Sequence, residues 1–503
     1  MRRYILFMLV LAGCTKNFRQ INTDPGKGTS VAPGEQLAAA AYFLDGGRET
    51  GYPNLFLFQP MAQYLNGTTS MGYGSRYIWN DFYNTLMWDI FYSKSIKQLS
   101  DLIEKNKSDS MQANYIAAAR VLKVYIFSLL TDAYGDVPYS QAGMAYYDKV
   151  YTPRYDKQQD IYNDFFLQLD TAFHQFDAAK APVLNDIVYD GALVKWKRLA
   201  ASLRLRLGMR LTKVNIVKAK AEVLAAIGEG VMESADDNFR MIHEDYAYPD
   251  LRGNGIAQAL QEEQAYQHTA GCATFVNYLK AENDPRLGRF FVNRDAAGND
   301  ITAITHYLPI QPGMYWWDDV FDFIGANGQV IPYANKYCTI NTPFYQYQSP
   351  YLHLGYAEVE FLLAEAAARG WIGDANMHYQ RGIRAAMAQI GMYPGMPVIP
   401  ANMVQDFIAA HVLTDKAIEE INMQKWVALF PNGFEAYANQ RRTGFPVLLP
   451  IADVDGDSQT HGILPKRLLY PAAEAMNNPV HYQEALDRLG GTDDWLQKVW
   501  WDR

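Results

Sequence analysis

Apolar residues in this chain recur at helical spacing, and the stretches that carry them come in consecutive pairs. Tyr115, Ala118, Leu122, Ile126 and Leu129 share one helical face, and Ile161, Phe165, Leu169, Ala172 and Phe176 share the next. Leu193, Trp196, Ala200, Leu203 and Leu207 repeat the pattern, followed by Val217, Ala221, Leu224 and Ile227. The clearest pair is Ala357, Phe361, Ala364 and Ala368, a turn at Gly370, then Ala375, Tyr379, Ile383 and Ala386. A single helical pair leaves an apolar face uncovered, so such pairs have to stack on one another. Helix should therefore dominate.

The small-residue face and mid-hairpin glycine of the last pair resemble a tetratricopeptide hairpin. The expected fold is all-α: tetratricopeptide-like helical hairpins forming a scaffold, with long irregular loops and minor β structure packed on it. Three stretches lack helical periodicity, namely Gln63 to Asn84, Phe239 to Gly255, and Asp295 to Pro350. Loops of that length inside a compact domain are usually functional or disordered, and the Tyr, Trp and Pro content of the last argues for order.

The N-terminus reads as a processing signal, with Arg2 and Arg3 ahead of an apolar run from Tyr4 to Ala12. That run is too short to span a bilayer, which takes roughly 20 apolar residues. Leu11-Ala12-Gly13-Cys14 follows and looks like a bacterial lipobox, in which the Cys14 sulfur takes the diacylglycerol. One acyl chain holds a protein on a membrane only marginally, whereas a triacylated cysteine anchors it stably. The expected organisation is a signal peptide over 1–13, a lipidated Cys14 with a polar spacer over 14–36, and one domain over 37–503.

Loss of residues 1–13 removes two arginines and no acid, leaving 43 basic against 54 acidic residues. An acidic balance of that size disfavours nucleic acid as a partner. With Cys14 lipidated, only Cys272 and Cys338 remain, either as a disulfide or as two buried free thiols.

Further motifs follow in order. Asn22-Thr23-Asp24-Pro25 comes after the cysteine, Thr131 to Tyr139 (Thr-Asp-Ala-Tyr-Gly-Asp-Val-Pro-Tyr) closes the first long helix, and Tyr356-Ala357-Glu358-Val359 with Ala364-Glu365-Ala366 opens the last hairpin. Gln424-Lys425-Trp426, Gly433-Phe434-Glu435-Ala436, Arg441-Arg442-Thr443-Gly444-Phe445-Pro446, Arg467, Tyr470-Pro471, Glu474, Asn477-Asn478 and Val499-Trp500-Trp501-Asp502 complete the series. From Cys14 onward this succession resembles the SusD/RagB family of outer-membrane nutrient-binding lipoproteins, in its SusD-like branch. The resemblance implies a helical protein lying over a SusC-like TonB-dependent transporter. It would be held in the outer membrane by its lipid and face the cell exterior. It would capture an oligosaccharide or polysaccharide for import, or in a second reading a peptide, without catalysis. A surface glycosidase and a purely structural transporter subunit are the remaining alternatives.

Most of the shared motif residues read as structural. Gly135 suits a helix end and Pro138 blocks continuation. At least one of Arg441 and Arg442 should be half-buried and paired with a carboxylate such as Glu435 or Glu365, as an internal brace. Saccharide binding needs a flat aromatic face for the C–H side of a sugar ring and planar polar groups for its hydroxyls. Two stretches supply both. In the first, Tyr73, Arg76, Tyr77, Trp79 and Asn80 alternate aromatic and polar character, and Gly72 and Gly74 permit an open loop. In the second, Tyr315, Trp316 and Trp317 precede Asp318, and three consecutive aromatics cannot all face one core. Trp79 also continues with Tyr83, Leu86 and Ile90 at helical spacing, which favours packing for that residue. No cofactor is expected beyond a weak calcium candidate at Asp453, Asp455 and Asp457. Ser458 and Leu464 there stand where a calcium loop requires glycine and glutamate, so the segment reads as a solvated turn. The H-E-x-x-H, G-x-S-x-G and G-x-x-x-x-G-K-[ST] patterns do not occur.

Overall fold

The computed structural model describes residues 31–67, 70–262, 269–294, 300–301, 307–314, 323–324, 330–331, 337–451 and 456–503. Cys14, Tyr315, Trp316, Trp317, Asp318, Asp453 and Asp455 lie outside them. The first helix, α1 (Pro33–Tyr42), starts within the expected spacer, and Gln36 is already buried, donating from Nε2 to Asp101 at 2.6 Å. The ordered body therefore begins no later than Pro33.

The stretch expected as an irregular loop from Gln63 to Asn84 is mostly regular. After α2 (Arg48–Tyr52) come β1 (Leu65–Gly67), α3 (Met71–Arg76) and α4 (Asp81–Ile90). Gly74 does not open a loop. A Cβ there would sit 2.3 Å from the Phe56 carbonyl oxygen, so the glycine lets α3 lie directly on the preceding backbone. Asn80 caps α4 by accepting from the Tyr83 N–H at 3.2 Å, satisfying one of the helix's free N-terminal donors.

The scaffold follows. Helix α5 (Lys97–Asn106) packs on α6 (Ala113–Tyr134), which is buried on nearly every side and forms the axis of the molecule. Helix α6 ends where Gly135 takes a φ of +88°, and the chain then makes a short antiparallel ladder, β2 (Val137–Pro138) with β3 (Tyr155–Asp156). Its partner α7 (Gln158–Gln175) thus returns after residues 135–157 rather than after a tight turn.

The second hairpin is α8 (Leu193–Arg210) with α9 (Ile216–Glu229). In α9 the expected inward stripe faces out: Val217 and Leu224 are exposed, and Ala219, Val223 and Ala226 are buried instead. The cause is close approach. A Cβ on Gly208 would lie 3.2 Å from Glu222 Cβ and Val223 Cγ2, so small side chains face α8 and the larger apolar ones are turned to the surface. A three-residue strand, β4 (Phe239–Met241), and the antiparallel pair of β1 with β5 (Thr269–Gly271) follow. Strand β6 (Tyr351–Leu354) pairs with β4 and leads into the third hairpin, α10 (Tyr356–Ala368) and α11 (Ala375–Gln389), with Gly370 at φ +73° in its turn. Helices α12 (Ala417–Leu429) and α13 (Gly433–Thr443) close the body. One contiguous apolar core runs from Leu37 to Trp501.

A buried polar network crosses that core. Arg442 grips Glu365 through two bonds of 2.7 and 2.6 Å, joining α13 to α10, as expected of a brace. Arg206 of α8 holds Glu358 of α10 at 2.8 and 2.6 Å. Glu435 receives Arg210 and, at 3.2 Å, Lys425. Asp132 of α6 accepts from Tyr162 at 2.5 Å and from the Trp501 indole at 2.7 Å. Arg441 bonds the Asp132 carbonyl at 2.8 Å and lies over the Tyr437 and Trp501 rings at 3.9 and 4.7 Å. Burial alone would push these carboxyls up. In Glu365 the Arg442 and Arg369 guanidiniums outweigh it and hold the group at about 2. Cys272 and Cys338 are free and buried, and burial pushes both thiols up to about 12. Among the described residues no helix is long and apolar enough to cross a membrane.

Candidate functional site

The residues around α2, α3 and the start of α4 form an aromatic face. Its base is set by two glycines: a Cβ on Gly51 would lie 2.2 Å from the Gly255 carbonyl oxygen, and one on Gly255 would lie 2.4 Å from the Gly47 oxygen. Only glycine at both positions lets α2 rest on the helix Gly255–Glu262. That contact places Arg48 and Tyr52 beside α4.

Tyr52 stacks on Phe56, centroids 5.1 Å apart, and meets the edge of Tyr83 at 5.5 Å. Tyr83 also meets Tyr73 at 5.5 Å and bonds Ser70 through its hydroxyl at 2.8 Å. These buried or half-buried rings back Phe82, which lies 6.4 Å from Tyr52 and 5.2 Å from Tyr83 and is 58% exposed. The Arg48 guanidinium lies 4.0 Å above the Tyr248 ring and 6.0 Å from Tyr52. Next to it Arg252 covers Tyr246 at 3.7 Å and is bound by Asp250 at 2.7 Å. The hydrogen bonds from Arg252 hold the Asp250 carboxyl at about 2, so both members stay charged at neutral pH. Flat rings and fixed guanidiniums alternate along this surface, an arrangement suited to stacking with hydrogen bonds at the ring edge.

The first expected stretch divides. Tyr73 is half-buried within the cluster. Trp79 is half-buried, its backbone N–H donates to the Gln459 side chain at 2.7 Å, and its indole Nε1 is buried without a partner among the described residues. Arg76 and Tyr77 were expected on an open loop, and this is corrected: both are 2% exposed. Arg76 reaches Asp457 at 3.5 Å, and Tyr77 turns the chain at φ +58° with its phenol pushed up by burial. The close packing of Gly74 on Phe56 rotates that end of α3 inward. Asn80 is occupied as a helix cap. Asp457 was one of three calcium candidates, and it serves as the partner of Arg76; among the described residues no group of three or more side chains is arranged to hold a metal ion.

The second stretch, Tyr315 to Asp318, lies outside the described residues, but its approach does not. Asn66 of β1 donates to the Gln311 carbonyl at 2.7 Å, so the chain departs for that segment from the strand that leads into α3. Phe82, Arg48 and Tyr248 were missed from sequence. Phe82 did carry a signal, since it falls off the helical stripe of Trp79, Tyr83, Leu86 and Ile90. Arg48 and Tyr248 are brought together only by the fold.

Residues 29–471 match the SusD-like family, described as starch-binding and associating with the outer membrane. Among solved structures, a chitin-binding protein is 35% identical, with a TM-score of 0.84, over 94% of this chain and all of that one. A Bacteroidetes SusD-like protein is 30% identical with a TM-score of 0.86 over the same shares. A SusD homologue from Bacteroides uniformis shares the fold at 24% identity, a TM-score of 0.78, 94% of this chain and all of that one. Among curated proteins no match was found.

Proposed function

This chain belongs to the SusD-like family, and from that premise we propose that it captures an oligosaccharide at the bacterial outer membrane and passes it to a SusC-like TonB-dependent transporter. Chitin-type chains are the first cargo to test, given what the 35%-identical relative binds. The reading makes the protein a carrier without catalysis, anchored through lipid on Cys14. The observation that carries it is the exposed Phe82 ring, backed by Tyr52, Tyr73 and Tyr83 and flanked by Arg48. An exposed ring on a rigid aromatic base loses little entropy when a sugar stacks on it, and the open face admits a chain from either end.

Retention of the purified soluble protein on insoluble chitin tests the reading. Phe82→Ala should weaken retention about tenfold, the equivalent of about 1.4 kcal/mol of stacking, with an unchanged melting temperature because the ring lies on the surface. Unchanged retention would remove Phe82 from the site. Absence of wild-type retention on chitin and on starch alike would overturn glycan capture. For delivery, the tagged protein should co-purify from outer membranes with a barrel-sized partner, and consistent isolation alone would count against that step.

A further inference from the structure

A cavity of about 430 Å³ opens between α5, α6 and α7 and shares no lining residue with the aromatic face. Its floor is apolar: Ile103, Val124 and Ile161. Along one wall, Tyr139 donates to Asp164, Gln168 donates to Asp164 at 3.3 Å, and Arg120 donates through one terminal nitrogen to Gln168. This chain of bonds leaves two cationic donors over. Arg120 Nε is buried with no partner, and Lys123, one turn further along α6, makes no hydrogen bond or ion pair among the described residues, its ammonium lying 6.0 Å from the Phe127 ring. At the rim Asp156 is filled by the N–H groups of Tyr139 and Ser140 at 3.1 and 2.7 Å, by the Ser140 hydroxyl at 2.9 Å and by Arg154 at 3.2 Å, and Arg154 also donates to that hydroxyl at 3.1 Å. Exposed Asp160 is not so engaged.

A buried donor without an acceptor costs about 1–3 kcal/mol, a cost that falls on Arg120 Nε; with the Lys123 ammonium lining the same cavity, an anion there would relieve it. A bare inorganic anion would leave the apolar floor uncovered, and a purely apolar acid would leave the Asp160 rim unused. We propose that this cavity binds a hydroxylated organic acid, of the kind an acidic sugar unit provides, with its carboxylate on Arg120 and Lys123 and its hydroxyls toward Asp160. The volume falls in the usual range for small-ligand sites, about 300–1,000 Å³. This site is independent of glycan capture on the aromatic face, and either can fail alone.

The geometry carries a pH signature. Burial, and then the neighbouring Arg120, push the Lys123 ammonium down to about 8, against the pull of Asp164 on α7 and Glu104 on α5. A bound carboxylate favours the charged form, so binding takes up a proton. Affinity is full below the free lysine's pKa and falls above it, about tenfold between pH 7 and pH 9.

Titration calorimetry of the soluble protein with D-glucuronate, with D-glucose and hexanoate as comparisons, tests this at both pH values. Glucuronate should bind and weaken about tenfold at pH 9, with glucose and hexanoate at least tenfold weaker at pH 7. Lys123→Met should abolish glucuronate binding while keeping chitin retention, and Lys123→Arg should bind glucuronate equally at both pH values. Equal binding of glucose would overturn the carboxylate assignment, and tighter binding of hexanoate would overturn the hydroxyl assignment. No glucuronate binding by the wild type, or a pH dependence that survives in Lys123→Arg, would overturn the site.

Discussion

Phe82 and Tyr83 are consecutive, yet the first is 58% exposed and the second 8%. Helical periodicity could assign Tyr83 inward, because its stripe partners were visible. It could not show that Phe82 would stand on Tyr52, which arrives from α2. The same limit misplaced Arg76 and Tyr77, whose burial depends on how closely Gly74 meets Phe56. Arg442 was more legible: two arginines set among aromatics needed a buried carboxylate, and Glu365 supplies it at 2.6 Å. Removing that arginine breaks the buried pair and leaves Glu365 with only the more exposed Arg369 as a cationic partner, so Arg442→Ala should cost about 3 kcal/mol, measured by urea unfolding. A loss below about 1 kcal/mol would mean that water reaches Glu365.

Among elements, the three hairpins were legible because each has a long stripe, and α9 shows where stripes mislead. It offers apolar residues on two faces, and the approach of α8 at Gly208 selects the one made of small residues. The front of the molecule was less legible, since α2 and α3 are too short to show a period. Their placement depends on glycines. Gly51→Ala would set a methyl 2.2 Å from the Gly255 oxygen, so α2 must shift, at an overpacking cost of about 1–3 kcal/mol. The shift moves Arg48 and Tyr52 together, so this variant should lose chitin retention as well as melting temperature, unlike Phe82→Ala. Retention at the wild-type level would show that α2 does not position the face.

At the scale of the whole molecule, the buried ion pairs make stability depend on acid. Glu365 has its folded pKa depressed from the usual 4.5 to about 2. Its stabilisation is present above pH 4.5 and is lost as the pH falls toward 2, about 3 kcal/mol in all. Melting temperature should therefore fall over that window, and Glu365→Gln should flatten part of the fall while lowering stability at pH 7. The proposed attachment through Cys14 is tested separately. Cys14→Ser should move the protein from membranes to the soluble fraction after cell lysis without altering chitin retention; persistence in the membrane would show an anchor other than lipid. The bond between Asp132 and Trp501 spans 369 positions. Until residue 501 arrives, Asp132 lacks one of its donors and the Arg441 guanidinium one of its two rings. The core of the first half is therefore completed only by the last residues of the chain, so the two ends are parts of one cooperative unit.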